Sequence, residues 1–177
     1  MNQSREYWAD IYGFENYQIS TYGRVYNKRR NCYMKVSKTP FGDLKVGILD
    51  NSGVRRTMGV AKMLSDAFIS PSNALCTHPV VLDGNKANIC LENIVARPPS
   101  YVWLYSRQLR TEQPTHFKNL PVRNVKKGIT YPSIIDAGMA EGLLFAEIWR
   151  STYTGEAIFP DWSVFEITEI VWEEIGE

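Results

Sequence analysis

The sequence predicts an α+β chain assembled from small modules: a β-rich N-terminal unit, a ββα core, a connector, and a small helix-turn-helix-like unit with flanking strands. Three observations carry this. Residues 7–60 break short apolar runs with glycine and asparagine turns, which is the pattern of strands. Residues 60–69 switch to helical spacing, and further strand and helix signals follow. The charge is split: residues 1–130 hold 19 Lys/Arg against 9 Asp/Glu, net +10, whereas residues 131–177 hold one Arg against ten acids, net −9. Such a contrast marks segments with different partners, or an acidic tail folding onto a basic body.

Whole-chain properties set the outer limits. At 177 residues the chain has room for one large domain or two or three small modules. An apolar share of 44% excludes wholesale disorder, and a net charge of +1 excludes a histone-like coat. No run of about 18 apolar residues is present, so no membrane partner is expected. The start Met-Asn-Gln-Ser-Arg-Glu lacks the apolar stretch of a signal peptide. Cys32, Cys76 and Cys90 are too few and too scattered for a disulfide framework, which fits a reducing cytosol.

The elements follow in chain order. Tyr17–Ser20 and Arg24–Tyr26 read as strands. Leu44–Leu49 and Val54–Met58 flank Asp50-Asn51-Ser52-Gly53, a hairpin. Val60, Met63, Leu64, Ala67 and Phe68 share one helical face, and Pro71 ends the helix. Cys76–Leu82 reads as a strand, and Asp83-Gly84-Asn85 turns it. Leu91–Ala96 reads as the start of a short helix ended by Pro98-Pro99. Residues 101–119, aromatic and basic, read as a helix or an extended connector. Val122–Ile129 reads as a strand, residues 133–141 and 144–152 as two helices around Gly142, and Ser163–Thr168 as a last strand.

Three patterns then appear in order. The first is Trp8-Ala9-Asp10-Ile11, Gly13-Phe14-Glu15-Asn16-Tyr17, Ile19-Ser20 and Gly23-Arg24-Val25-Tyr26. The second is Val60-Ala61-Lys62-Met63-Leu64, Ala67-Phe68, Leu82-Asp83-Gly84-Asn85-Lys86, Asn88 and Leu91-Glu92-Asn93-Ile94. The third is Tyr131-Pro132-Ser133, Ala137, Gly142-Leu143, Ile148 and Gly155. Together they resemble the phage HNH homing endonucleases: an N-terminal nuclease-associated motif (1–58), an HNH ββα-metal core (59–99), a connector (100–120) and a C-terminal helix-turn-helix module (121–177). The resemblance implies DNA cleavage with one divalent metal. A strand histidine acts as general base beside an acidic or amide ligand, and an Asn or His at the start of the following helix completes the site. It also implies a cytoplasmic location in an infected host cell.

The departures from that pattern are chemical. Val81 stands where the histidine belongs, two residues before Asp83-Gly84, and Val80 stands at the adjacent ligand position. Neither side chain has a lone pair. Ala61 replaces a histidine in the upstream helix. Asp83, Asn88 and Asn93 remain, as residues that support a turn. The core therefore reads as degenerate, with no catalytic residue, no metal and no cofactor. His78, three residues before Val81, faces the other side of a regular strand, and only a bulge at Pro79 re-aims it. In that alternative His78, Asp83 and Asn93 form a shifted, Mg²⁺-dependent site. Cys76, His78 and Cys90 lack paired ligand spacing and a fourth ligand, so buried structural cysteines are the better reading. His116 belongs to a Pro-flanked linker.

Binding residues complete the reading. Lys28, Arg29, Arg30, Lys35, Lys38, Arg55, Arg56 and Lys62 are candidate DNA-phosphate contacts, with a plain solvated face as the alternative. Tyr101, Trp103 and Tyr105 alternate with basic residues in a pattern that suits either base stacking or core packing. In the C-terminal module the second helix starts with Leu144 and Phe145 instead of a hydroxyl cap. It carries Glu147 instead of basic groups, and only Arg150 is basic. Leu144, Phe145, Glu147 and Trp149, with Glu141 and Glu156 nearby and Glu173 and Glu174 in the tail, thus form a candidate protein-binding patch, or alternatively fill the module's core. The first functional reading is a catalytically inactive HNH-like phage protein reused for binding, engaging or inhibiting a host or phage protein that handles nucleic acid. The alternatives are a non-cleaving protein that binds double-stranded DNA through the basic N-terminal half, and a nicking endonuclease with a displaced site.

Overall fold

The computed structural model describes residues 5–70 and 73–168. The fold is α+β with several small antiparallel sheets, and the chain divides into two units, Met1–Val102 and Trp103–Glu177. In the first unit, β1 (Trp8–Ile11), β2 (Phe14–Ser20), β3 (Val25–Asn27) and β4 (Cys32–Tyr33) form an antiparallel meander in chain order. Short glycine turns make this the simplest pairing, since neighbours in sequence become neighbours in the sheet. Gly23 is demanded twice over. Its φ is +70°, and a Cβ there would stand 2.9 Å from both Cγ2 and the carbonyl oxygen of Ile89.

A second sheet, β5 (Ser37–Lys38), β6 (Leu44–Leu49) and β7 (Arg55–Gly59), follows. The predicted hairpin is present. Gly53 N–H donates to the Asp50 carbonyl at 2.9 Å, and Asp50 Oδ1 accepts from the N–H groups of Ser52 and Val54 at 3.1 and 2.9 Å. Alternation along β6 turns Val46 and Ile48 inward. They meet α1 (Val60–Phe68), whose Val60, Met63 and Leu64 are buried with Ile11, Ile19 and Val25 in one core. Full burial of a side chain such as Leu64 stabilises the unit by about 2 kcal/mol.

β8 (His78–Val81) pairs with β9 (Ile94–Arg97) in a two-stranded sheet. Here the structure corrects the sequence reading. Only Leu91–Asn93 makes a helical turn, of the tight 3₁₀ kind, and the expected helix through Ala96 is replaced by a strand. Branched Ile94 and Val95 suit the pleat, and β8 supplies the partner. Pro79 introduces no bulge: the pairs His78–Arg97, Pro79–Ala96, Val80–Val95 and Val81–Ile94 run in unbroken register. The shift needed to re-aim His78 does not occur. The connector holds two helices, α2 (Pro99–Gln108) and α3 (Thr115–Asn119).

In the second unit, β10 (Val122–Asn124) lies between β11 (Ile129–Tyr131) and β12 (Phe165–Ile167). The continuous strand expected over Val122–Ile129 is instead a hairpin. Buried Asn124 turns the chain, its Oδ1 accepting Lys127 N–H at 3.1 Å and its carbonyl accepting Gly128 N–H at 2.8 Å. The helices α4 (Ile134–Glu141) and α5 (Phe145–Thr154) flank Gly142 as expected. Ser133 caps α4, its Oγ accepting Asp136 N–H at 3.1 Å. A Cβ at Gly138 would overlap the Phe145 ring, so this glycine sets how closely α4 and α5 approach. Phe145 is 2% exposed and lies in the core with Ile134, Leu143, Ile148 and Phe165. It is not a surface anchor, contrary to its place in the expected protein-binding patch. Among the described residues no helix is long and apolar enough to cross a membrane.

Candidate functional site

The ββα core places its key positions as follows. Val80 is buried, and Val81, half-buried, packs against the core of the first unit. Asn93 is not on the helix after the second strand, where the resemblance had put its metal-completing residue. It lies in the turn before β9 and braces the 82–93 loop. Its Oδ1 accepts Asp83 N–H at 3.1 Å and its Nδ2 donates to the Asn88 carbonyl at 2.8 Å. Asp83 is used the same way, Oδ1 accepting Asn85 N–H at 2.8 Å and Oδ2 accepting Asn88 Nδ2 at 2.7 Å. Burial alone would raise the Asp83 carboxyl. Hydrogen bonds from Asn93, Asn88 and backbone N–H groups outweigh that and hold it below the ordinary range. α2, the helix that follows β9, contains no Asn, Asp, Glu or His from Pro99 to Gln108.

These donors do not fit the divalent cation that the fold family implies. A metal centre needs several converging oxygen or nitrogen ligands, and here Asp83, Asn88 and Asn93 are engaged with one another. His78 is exposed, its Nδ1 3.0 Å from Thr77 Oγ1. Among the described residues no three His, Cys, Asp or Glu side chains converge on a cation site, and Cys76, His78 and Cys90 are no exception.

The basic residues lie on the first unit. Lys28, Arg29 and Arg30 occupy the β3–β4 turn, Lys35 and Lys38 follow, Arg55 and Arg56 lie on β7, and Lys62 on α1. Three are paired: Lys28 with Asp10 at 2.9 Å, Arg56 with Asp50 at 3.1 Å, and Lys62 with Asp66 one helical turn on. Such exposed pairs are worth about 0–1 kcal/mol and yield readily to a phosphate. Arg29, Arg30, Lys35, Lys38 and Arg55 are exposed and make no ion pair among the described residues. Lys45 belongs with them. It lies on the outer face of β6, opposite Ser37 on β5, and the inward alternation of Val46 and Ile48 was the sequence signal for it. Gly47 leaves room for the Arg55 guanidinium, which crosses 3.0 Å from where a Cβ would stand.

A family model described as the NUMOD4 motif matches residues 6–56, the region that carries most of these cations. An uncharacterized HNH endonuclease of Acanthamoeba polyphaga mimivirus is 29% identical over 137 residues, covering 76% of this chain and 40% of the relative. A solved structure, "DNA binding and cleavage by the HNH homing endonuclease I-HmuI", matches with a TM-score of 0.52 and 22% identity, over 93% of this chain and 99% of that one. The chain thus carries a NUMOD4 motif and is similar to HNH homing endonucleases in sequence and fold. The HNH-like chain spans 40% of the length of the mimivirus relative, and its likeness to I-HmuI is one of fold.

Elsewhere in this HNH-like chain, Leu144, Glu147 and Trp149 are half-buried around α5, while Glu173 and Glu174 lie outside the described residues. Glu141 is 6% exposed and thus part of the interior, not of an acidic rim. Tyr131 Oη donates to its Oε1 at 2.6 Å, Asn124 Nδ2 donates to the same oxygen at 3.3 Å, and Lys127 pairs with Oε2. Burial, and then the Glu141 carboxylate, push the Tyr131 hydroxyl well above the ordinary phenol range. Sequence reasoning also missed Gln108. Its Oε1 accepts Phe145 N–H at 2.9 Å and its Nε2 donates to the Leu143 carbonyl at 3.1 Å. It caps α5 from another helix, which is why Leu144 is tolerated where a hydroxyl residue is usual.

Proposed function

We propose that the chain is a non-cleaving DNA-binding protein built on the HNH homing endonuclease scaffold and acting in the cytoplasm of an infected host. The observation that carries the reading is the contrast inside the first unit. Six exposed cations of the β3–β4 turn and the segment from Lys35 to β7 (Arg29, Arg30, Lys35, Lys38, Lys45 and Arg55) lack a counter-ion among the described residues, while the positions of the base and its neighbouring ligand hold Val81 and Val80. A hydrolytic nuclease needs a group that deprotonates water and a cation that stabilises the phosphorane. Binding needs only the cations. Fluorescence anisotropy with a labelled duplex across a salt series tests the reading. Six phosphate contacts give a slope of log K against log salt of about −5. Replacing Arg29 and Arg30 by Gln lowers it by about 2. Absence of binding at low salt, or nicking of supercoiled plasmid with Mg²⁺ or Mn²⁺, overturns it.

A second reading, engagement of a protein, draws on one feature of the second unit. Trp149 lies 4.7 Å from the His116 ring and 4.4 Å from that of Tyr153, which is 64% exposed, and Glu147 stands on the same helix. Exposed aromatic clusters are frequent interface anchors. A partner recovered from host lysate by the wild type and lost with Tyr153→Ala supports this reading. Recovery that is unchanged by the substitution removes it.

A further inference from the structure

A cleft of about 260 Å³ opens in the first unit, lined by Asn16, Tyr17, Asn27, Arg29, Arg30 and Leu49. Its lining supplies hydrogen-bond donors and no carboxylate. Asn27 is the informative member. It faces inward on β3 beside Val25 and is only 5% exposed, an unusual place for an amide. Its Oδ1 accepts Arg30 N–H at 2.9 Å, which fixes which end of the amide is oxygen. That leaves the Nδ2 donors without an acceptor among the described residues, on a side chain that lines the cleft. Tyr17, 4% exposed, repeats the pattern. Its Oη accepts Leu49 N–H at 3.3 Å, and its own hydroxyl proton has no acceptor among the described residues. Two guanidiniums with no ion pair among those residues complete the wall. Donors that open into a cleft with no protein acceptor are available to a ligand, and adjacent like charges repel. One ligand class relieves both, a tetrahedral oxyanion with several acceptor oxygens. The volume is ample, since a water's share of the liquid is about 30 Å³.

We propose that this cleft is a phosphate-binding site, in which the Arg29 and Arg30 guanidiniums, the Asn27 amide and the Tyr17 hydroxyl hold one phosphoryl group. The group is either a phosphodiester of a nucleic-acid backbone or a free phosphate. Only the first source rests on the DNA-binding reading given above.

The test uses the ¹⁵N-labelled full chain. Amide and side-chain spectra are followed during addition of sodium phosphate, against sodium chloride at matched ionic strength, and separately during addition of a short duplex. Asn27→Asp keeps the oxygen that accepts Arg30 N–H and the shape of the side chain, but puts a carboxylate where the donors were. Arg29→Gln alters only an exposed side chain and serves if the first variant does not fold. Phosphate is expected to give saturable shifts at Asn27 Nδ2 and the Arg30 amide, and either variant to weaken binding about tenfold, the loss of one charge-assisted hydrogen bond. Matching shifts with duplex, competed by phosphate, support the site and assign a backbone phosphate as its occupant. Shifts with phosphate alone support the site and assign free phosphate. Duplex binding with no saturable phosphate response in the cleft overturns the site and leaves the DNA-binding reading intact. A phosphate response that both variants retain also overturns it.

Discussion

Replacing Glu141 by Ala should loosen the second unit by about 3 kcal/mol, although part of the sequence pattern reads this residue as surface acid. The figure is built from its partners. Tyr131, at 2.6 Å, loses a hydrogen bond to a charged acceptor in a half-buried place, worth about 1.5–3 kcal/mol. Asn124 is fully buried but keeps Ser163 Oγ as an acceptor at 3.2 Å, so its share is about 0.5–1 kcal/mol. The Lys127 side chain is 40% exposed and turns to water, so it contributes under about 1 kcal/mol. Amide hydrogen exchange is the suitable assay, because it reads each unit separately. A loss of about 3 kcal/mol accelerates exchange in β10 by roughly a hundredfold, with β2 of the first unit as internal reference. Tyr131→Phe alone should cost about 1.5–3 kcal/mol, and the double variant should cost less than the sum because the two residues share one bond. Unchanged protection of β10 in Glu141→Ala, or strict additivity with Tyr131→Phe, would refute the reasoning.

Gln108→Ala removes both bonds that tie α2 to the α4–α5 turn. It is expected to lower the stability of the second unit by about 1–2 kcal/mol, read as faster exchange at the Phe145 amide. Gly138→Ala gains about 1 kcal/mol of helix propensity but drives a methyl into the Phe145 ring. A net loss in urea unfolding is expected, and Phe145→Leu in the same chain should relieve it. The Asp50 carboxyl is held at about 2, below the ordinary 3.8, chiefly by the Ser52 hydroxyl and then by Val54 N–H. Because the folded value lies below the unfolded one, its contribution is fully present above the ordinary value and fades as pH falls toward 2. Chemical shifts of the β6–β7 turn should therefore titrate in that window in the wild type and stay flat in Asp50→Asn.

Local signals were legible in the chain and distant ones were not. α1 could be read because Val60, Met63, Leu64 and Phe68 repeat at helical spacing, and the β6–β7 turn because Asp50-Asn51-Ser52-Gly53 carries its own hydrogen-bonding groups. The helices around Gly142 were readable for the same reason. β9 was hidden because Leu91–Ala96 is a short apolar run of ambiguous period, and its partner β8 is separated from it by a twelve-residue loop, 82–93. The β10–β11 turn was hidden because the residue that makes it, Asn124, is buried inside the strand pattern and two lysines follow. At the candidate sites, the valines and the arginine turn were visible as residue types. The roles of Asn27, Tyr17 and Gln108 were not, since each depends on a partner brought close by folding.

The braced 82–93 loop gives the strand before it a direction in evolutionary time. Asp83, Asn88 and Asn93 fasten the loop to itself, so its shape owes nothing to what stands at 80 and 81. Val80 is 3% exposed, and a valine in such a place stabilises the fold by about 1.5 kcal/mol or more relative to exposure. A carboxylate or amide returning there would forfeit that gain and would also have to shed its water. Under the non-cleaving reading proposed above, a change from a ligand side chain to valine at this position runs downhill in folding free energy, and the reverse change runs uphill. The strand then acts as a ratchet that keeps the scaffold whether or not it keeps the reaction.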